Sequence, residues 1–248
     1  MLVAVLLFAA GAVGGAVNAV AGGGSFLVFP SMLLVGVPPV AANATTAVAL
    51  WPAGVASTIA YRKEIKAERK ALVVLAIASA LGGALGAALL LKTSDLTFTK
   101  ILPLLMFAAS AVFTAGPRLA QARKGAALPL AAGALLQLLI SSYGGYFGGG
   151  MGILMLATFT LMGMTHLHAM NGLKTLLGVL INGAANIAFF AAHKVVIAVA
   201  VPVAIGSIVG GFAGAAMARR VDPKKVRKLV LVFAWGLTLW FFAKAVTT

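Results

Sequence analysis

The stretch that decides the fold is Ser79-Ala-Leu-Gly82-Gly83-Ala-Leu-Gly86-Ala87-Ala88, because it recurs as Ser207-Ile-Val-Gly210-Gly211-Phe-Ala-Gly214-Ala215-Ala216. The two copies stand 128 residues apart. In the same register Asn43 matches Asn171, and Lys100 matches Lys228. A second pair of motifs, the glycine triplets Gly22-Gly23-Gly24 and Gly148-Gly149-Gly150, matches at an offset of 126, which leaves room for a two-residue insertion before Asn171. Several matches in one register make the chain two related halves. We expect a first repeat over 1–116, a linker over 117–126 and a second repeat over 127–248.

Around these motifs the chain is apolar. Of its 248 residues 62% are hydrophobic and 9% charged, where soluble domains carry about 25% charged residues. That is too little polar surface for a soluble fold of this size. With no cysteine a disulfide scaffold is excluded, and the apolar content excludes disorder. The apolar runs are continuous rather than alternating, which argues against an outer-membrane barrel. What remains is an all-α integral membrane protein.

Runs of about 20 apolar residues, enough to span a bilayer, cover Leu2–Ala21, Val40–Tyr61, Ala71–Leu91, Leu128–Tyr146, His168–Ala191, Val195–Ala218 and Val226–Val246, with a shorter run over Lys100–Thr114. Two further pieces, Phe26–Val35 and Met151–Met162, each follow a glycine triplet. At about 16 Å of helical rise they are short for a crossing. Each half therefore reads as about four long helices plus one short, glycine-broken helix. The N-terminus lacks a cationic leader and reads as the first span.

Charge argues how the halves are oriented. Fourteen of the 19 Lys and Arg residues lie in three clusters, Arg62–Lys70, Arg118–Lys124 and Arg219–Lys228. If the short pieces do not cross, the halves are parallel and the third cluster falls opposite the other two. If they cross, the halves are inverted and all three clusters share one side, as the positive-inside rule requires. The expected architecture is therefore two inverted repeats in the cytoplasmic membrane, a multi-pass chain with both termini outside and a cytoplasmic linker. The net charge of +15 is thereby explained as topology, and nucleic acid is not an expected partner.

Candidate site residues follow from the breaks. Glycine runs end one helix and leave the first N–H groups of the next without intrahelical acceptors. Such a start attracts anions, and irregular backbone at membrane depth is tolerated where it lines a cavity. Gly22, Gly23, Gly24 and Ser25 make one such start; Gly148, Gly149, Gly150 and Met151 make the other. After each turn comes a polar cluster: Asn43, Thr45 and Thr46 in the first half, Asn171, Lys174 and Thr175 in the second. Asn171, Lys174 and Thr175 share a helical face. Lys174 is the one cation well inside an expected span rather than at its end, and a charge there requires a partner. All four acids lie in expected loops, so a bound anion is its natural partner. Asn18 is close enough to the first break to line the site, as is Tyr143 near the second. The remaining span polars, among them Gln137, Ser141, Asn182 and Asn186, read as cross-helix hydrogen-bonding groups, and the Ser-x-x-Gly-Gly-x-x-Gly runs as close-packing faces.

Neither a cofactor nor a metal site is expected: His166-Leu-His168 has no third ligand near it. No Walker loop, HExxH, paired carboxylates or cysteine nucleophile points to an enzyme.

The run Asn18-Ala-Val-Ala-Gly22-Gly23-Gly24-Ser25-Phe-Leu-Val-Phe-Pro30, followed by Gly36-Val-Pro38-Pro39 and Asn43-Ala-Thr45, resembles the opening of the sulfite exporter TauE/SafE family of membrane transporters. Tyr143-Gly-Gly-Tyr-Phe-Gly148-Gly149-Gly150-Met-Gly152 with Asn171-Gly-Leu-Lys174 resembles its second repeat. The resemblance spans the whole chain and implies a secondary transporter for sulfite or another sulfur oxyanion or organosulfonate. The expected partners are that anion and the lipid bilayer, with a homo-oligomer compatible. Alternating access would come from one half moving against the other. An anion channel is the alternative, since it would use the same helix starts and the same lysine.

Overall fold

In the computed structural model, which describes residues 2–20, 23–65, 69–121, 127–217 and 223–247, the chain forms ten α-helices. The first five are α1 (Leu2–Val20), α2 (Ser25–Leu34), α3 (Pro39–Ala60), α4 (Arg69–Leu91) and α5 (Asp95–Gln121). They are followed by α6 (Leu130–Tyr146), α7 (Met151–Leu161), α8 (Leu167–Ala191), α9 (Ile197–Met217) and α10 (Pro223–Thr247). No strand occurs among the described residues. The helix ends follow local chemistry. Pro39 occupies the first turn of α3, where its missing N–H costs nothing. Gly36 and Gly163, which end the turns after α2 and α7, take positive φ values of 84° and 98° that favour glycine.

Among the described residues, five helices are long and apolar enough to cross a membrane: α1, α4, α5, α8 and α9. Eight long spans were expected. Two of the three that fall short, α3 and α6, carry five of the buried polar residues. α3 holds Asn43, Thr45 and Thr46, all buried, and α6, with 17 residues, buries Gln137 and Ser141. Lipid-type surface lies elsewhere. Leu81, Leu85 and Leu89 of α4 are more than half exposed, as are Leu229, Val232 and Leu239 of α10. The fifth helix is longer than its expected Lys100–Thr114 at both ends, running from Asp95 to Gln121 and so into the expected linker. Asp95 was expected in a loop. It lies in the fifth helix's first turn instead, where the helix dipole favours an anion, and its Oδ1 accepts the Val40 N–H of α3 at 2.8 Å, while Ser94 Oγ caps the helix by accepting the Thr97 N–H at 3.2 Å.

The repeated glycine motif packs in the same way in both copies. A side-chain carbon at Gly82 or Gly86 would collide with α6, and one at Gly83 with α8. In the second copy Gly210 and Gly214 lie against α1, and Gly211 against α3. Each motif helix thus packs on the opposite half of the chain. The result is two three-helix groups, α1–α3–α9 and α4–α6–α8, each built from both repeats, with α3 and α8 touching between them. α5 packs against α10 and α7, and α2 against α1 and α3. Both glycine breaks come close to the α5–α10 pair: a side chain at Gly23 would meet Phe113 and Val230, and one at Gly150 would meet Ala109.

The loop ends sort into two sets. Near the start of α3, Val40 bonds to Asp95, and the Val196 N–H donates to Thr45 Oγ1 at 3.0 Å. Near its end, Tyr61 and Ile65 approach Gly172 at the start of α8.

Candidate functional site

One face of α3, with Asn43, Thr46 and Ala47, then Leu50 and Trp51, then Gly54 and Ser57 at helical spacing, lines a cavity of about 130 Å³. α8 supplies the facing wall with Lys174, Thr175, Gly178, Val179 and Asn182. The two short helices close it. Gly23 and Ser25 lie where α2 begins; Gly148, Gly150, Met151 and Gly152 lie where α7 begins. Gly148 and Gly150 hold φ values of 81° and 76°, and Gly23 one of 90°. A side chain would be strained at each position, so the glycines are what let the backbone turn into the cavity.

Hydrogen bonds fix the walls. Trp51 Nε1 donates to the Val179 carbonyl at 3.0 Å, directly from α3 to α8. Asn43 Nδ2 donates to the Tyr146 carbonyl at 2.9 Å, and the Tyr143 hydroxyl donates to the Gly149 carbonyl at 2.7 Å. Thr46 Oγ1 donates to Ala42 at 2.8 Å, and Thr175 Oγ1 to Gly172 at 2.8 Å. The lysine stem runs beside the start of α7: a carbon added at Gly152 would stand 3.2 Å from Lys174 Cδ. Among the described residues, Lys174 is the one charged residue in the lining, and no carboxylate is among the lining residues.

The expected site residues divide. Asn18, Gly23, Ser25, Asn43, Thr46, Gly148, Gly150, Lys174 and Thr175 line this cavity. Gly149 lines instead a smaller void beyond Asn43 and Phe147, shared with Ser25 and Phe29. Gly24 is packed against Gly14 of α1. Thr45 is fully buried and occupied as acceptor for Val196. Asn171 is not in the lining. Gly22 lies outside the described residues.

Several lining residues were not expected: Leu50, Trp51, Gly54 and Ser57 of α3, and Met155 of α7. Continuing the Asn43–Thr46 face by further helical turns reaches all four α3 residues. Asn182, read from sequence as a packing group, lines the cavity instead. Gln137 fits its packing reading, since its Nε2 donates to Ser79 Oγ at 2.9 Å.

Comparison with known proteins gives a family and two relatives. The model of the family described as sulfite exporter TauE/SafE matches residues 7–241. A protein of Haemophilus influenzae named "Probable membrane transporter protein" is 28% identical over 239 residues, covering 94% of this chain and 92% of its own length. One of Sinorhizobium sp, named "Probable membrane transporter protein ORF9", is 29% identical over 244 residues, covering 96% and 91%. No solved structure matches the chain.

Proposed function

From the premise that the chain belongs to the sulfite exporter TauE/SafE family, we propose that this membrane transporter carries a small anion, sulfite or another sulfur oxyanion or organosulfonate, through the α3–α8 cavity by alternating access. The observation that carries this reading is Lys174. It is a lone cation in a cavity lined by glycine breaks, with no acid in the lining. A buried charge needs compensation, and a bound anion supplies it, assisted by the first turns of α2 and α7.

The packing favours a particular moving unit. The sequence halves interlock through the glycine motifs, so one half cannot slide past the other as a block. The groups α1–α3–α9 and α4–α6–α8 meet chiefly at the α3–α8 contact, and the cavity lies along it. Rocking of these two groups would expose the cavity to alternate sides. The halves are proposed to be inverted in the cytoplasmic membrane, with both termini outside and the 117–126 linker in the cytoplasm. The charge distribution and the two sets of loop ends support that.

The test is sulfite flux in proteoliposomes. Lys174→Ala abolishes it while the purified variant keeps its helical content and melting temperature. Normal flux in that variant would overturn the reading.

A further inference from the structure

We propose that the cavity selects a singly charged organic anion carrying a short apolar group, its charged head toward Lys174 and its tail against Leu50 and Trp51. This rests on the anion-site reading above and narrows it.

The argument comes from comparing the two walls in the repeat register. At an offset of 128, Thr46 corresponds to Lys174, Ala47 to Thr175, Leu50 to Gly178, Trp51 to Val179 and Gly54 to Asn182. All ten residues line the cavity. The two walls descend from one repeated pattern and have diverged in opposite senses. α8 carries the ammonium of Lys174 and the amide of Asn182, while its Thr175 hydroxyl, like that of Thr46, is occupied by a backbone carbonyl. α3 has the bulky apolar pair, Leu50 and Trp51, where α8 has Gly178 and Val179.

The polar groups left on the α3 wall are largely occupied by the protein. Trp51 donates its N–H to Val179, Thr46 its hydroxyl to Ala42, and Asn43 an amide hydrogen to Tyr146. Met151 and Met155 add two thioether side chains to the lining, soft apolar surfaces that adapt to an alkyl or sulfur-bearing tail. A small inorganic dianion would leave this wall unused and would bring a second charge with no cation to meet it, an unfavourable burial. A monoanion with one to three carbons satisfies both walls.

The experiment is calorimetric titration of the purified full-length chain with methane-, ethane- and propane-1-sulfonate, the matching acetate, propionate and butyrate, sulfate, and ethane-1,2-disulfonate. Transfer of each methylene from water to an apolar wall raises affinity about three- to fourfold. The expected result is that rise along the alkyl series, with propane-1-sulfonate at least tenfold tighter than sulfate and the disulfonate weaker than ethanesulfonate. A rise in both series assigns the head as any oxyanion; a rise in the sulfonates alone assigns a sulfonate. Leu50→Gln flattens the series. Affinity that is level or falls with chain length in the wild-type chain overturns the proposal. Lys174→Gln separates the two readings. If it weakens all anions while the wild-type series is flat, only the present proposal fails. If it leaves every affinity unchanged, the anion-site reading fails with it.

Discussion

Ser110 Oγ and Thr238 Oγ1 lie 3.1 Å apart in a fully buried hydrogen bond between α5 and α10. The two residues are 128 positions apart in the chain, which is the offset of the repeated glycine motif. Trp51 and Val179, joined at 3.0 Å, are also 128 apart. Residues at the repeat offset therefore meet each other at two places, which is what a pseudo-two-fold axis between inverted halves would produce. The cavity lies beside one of these meeting points, so a difference between the repeats becomes a difference between its two walls.

The Ser110–Thr238 bond has a definite direction. Thr238 already donates to the Ala234 carbonyl at 2.7 Å, so it accepts from Ser110. Ser110→Ala then removes one buried bond and should cost about 1 kcal/mol. In a double-mutant cycle with Thr238→Ala, the loss should be less than additive by about 0.5–1 kcal/mol. Reversible unfolding in mixed micelles measures both. Additive losses would mean that the two hydroxyls do not interact.

Glycine positions separate close packing from mere flexibility. A side chain at Gly210 would run into the Ala12 backbone, whereas one at Gly236 meets nothing within 4 Å. Gly210→Ala should therefore lower the yield of folded protein and the melting temperature sharply, since backbone rather than a movable side chain obstructs it. Gly236→Ala should be neutral or raise stability by up to about 1 kcal/mol through helix propensity. Equal melting temperatures for the two variants would contradict the packing of α9 on α1.

What could be read from the chain was local. Helix existence, the two short helices and their glycine starts follow from periodicity and breaker residues. Lys174 stands out because a charge in an apolar run is costly wherever the helix goes. Pairing across the halves was not legible. Gly82 and Gly86 announce that something packs closely, but only the tertiary fold says that it is α6. Trp51 was invisible for a different reason: in an apolar run an aromatic residue looks the same whether it meets lipid, core or cavity. Thr45 misled in the opposite direction, because a polar residue beside Asn43 can serve the backbone of a distant loop as readily as a ligand.

The contact between Gly152 and the Lys174 stem predicts a graded response. A single carbon at position 152 stands 3.2 Å from Lys174 Cδ, close enough to require a small shift of a flexible side chain. Gly152→Ala should reduce sulfite flux modestly. Gly152→Val, with two more carbons and a stiff χ1, should displace the ammonium and reduce flux tenfold or more while the fold survives. Flux that falls no further in Gly152→Val than in Gly152→Ala would separate the lysine's position from transport.

The inverted arrangement predicts which loops share a side of the membrane. Asp95 accepts the Val40 N–H and Thr45 accepts the Val196 N–H, so the loops before α5 and before α9 both gather at the start of α3. Lys92 and Lys194, in those loops, are exposed. Lys63 is exposed just past the other end of α3. The chain has no cysteine, so single cysteines introduced at these positions can be labelled without background. In intact cells a membrane-impermeant maleimide should label Lys92→Cys and Lys194→Cys and should reach Lys63→Cys only after permeabilisation. If the halves were parallel with α2 and α7 re-entrant, three spans would precede Lys92 and six would precede Lys194, and those two positions would label from opposite sides. That outcome would overturn the inverted arrangement, because the positive-inside argument and the loop contacts both require them on one side.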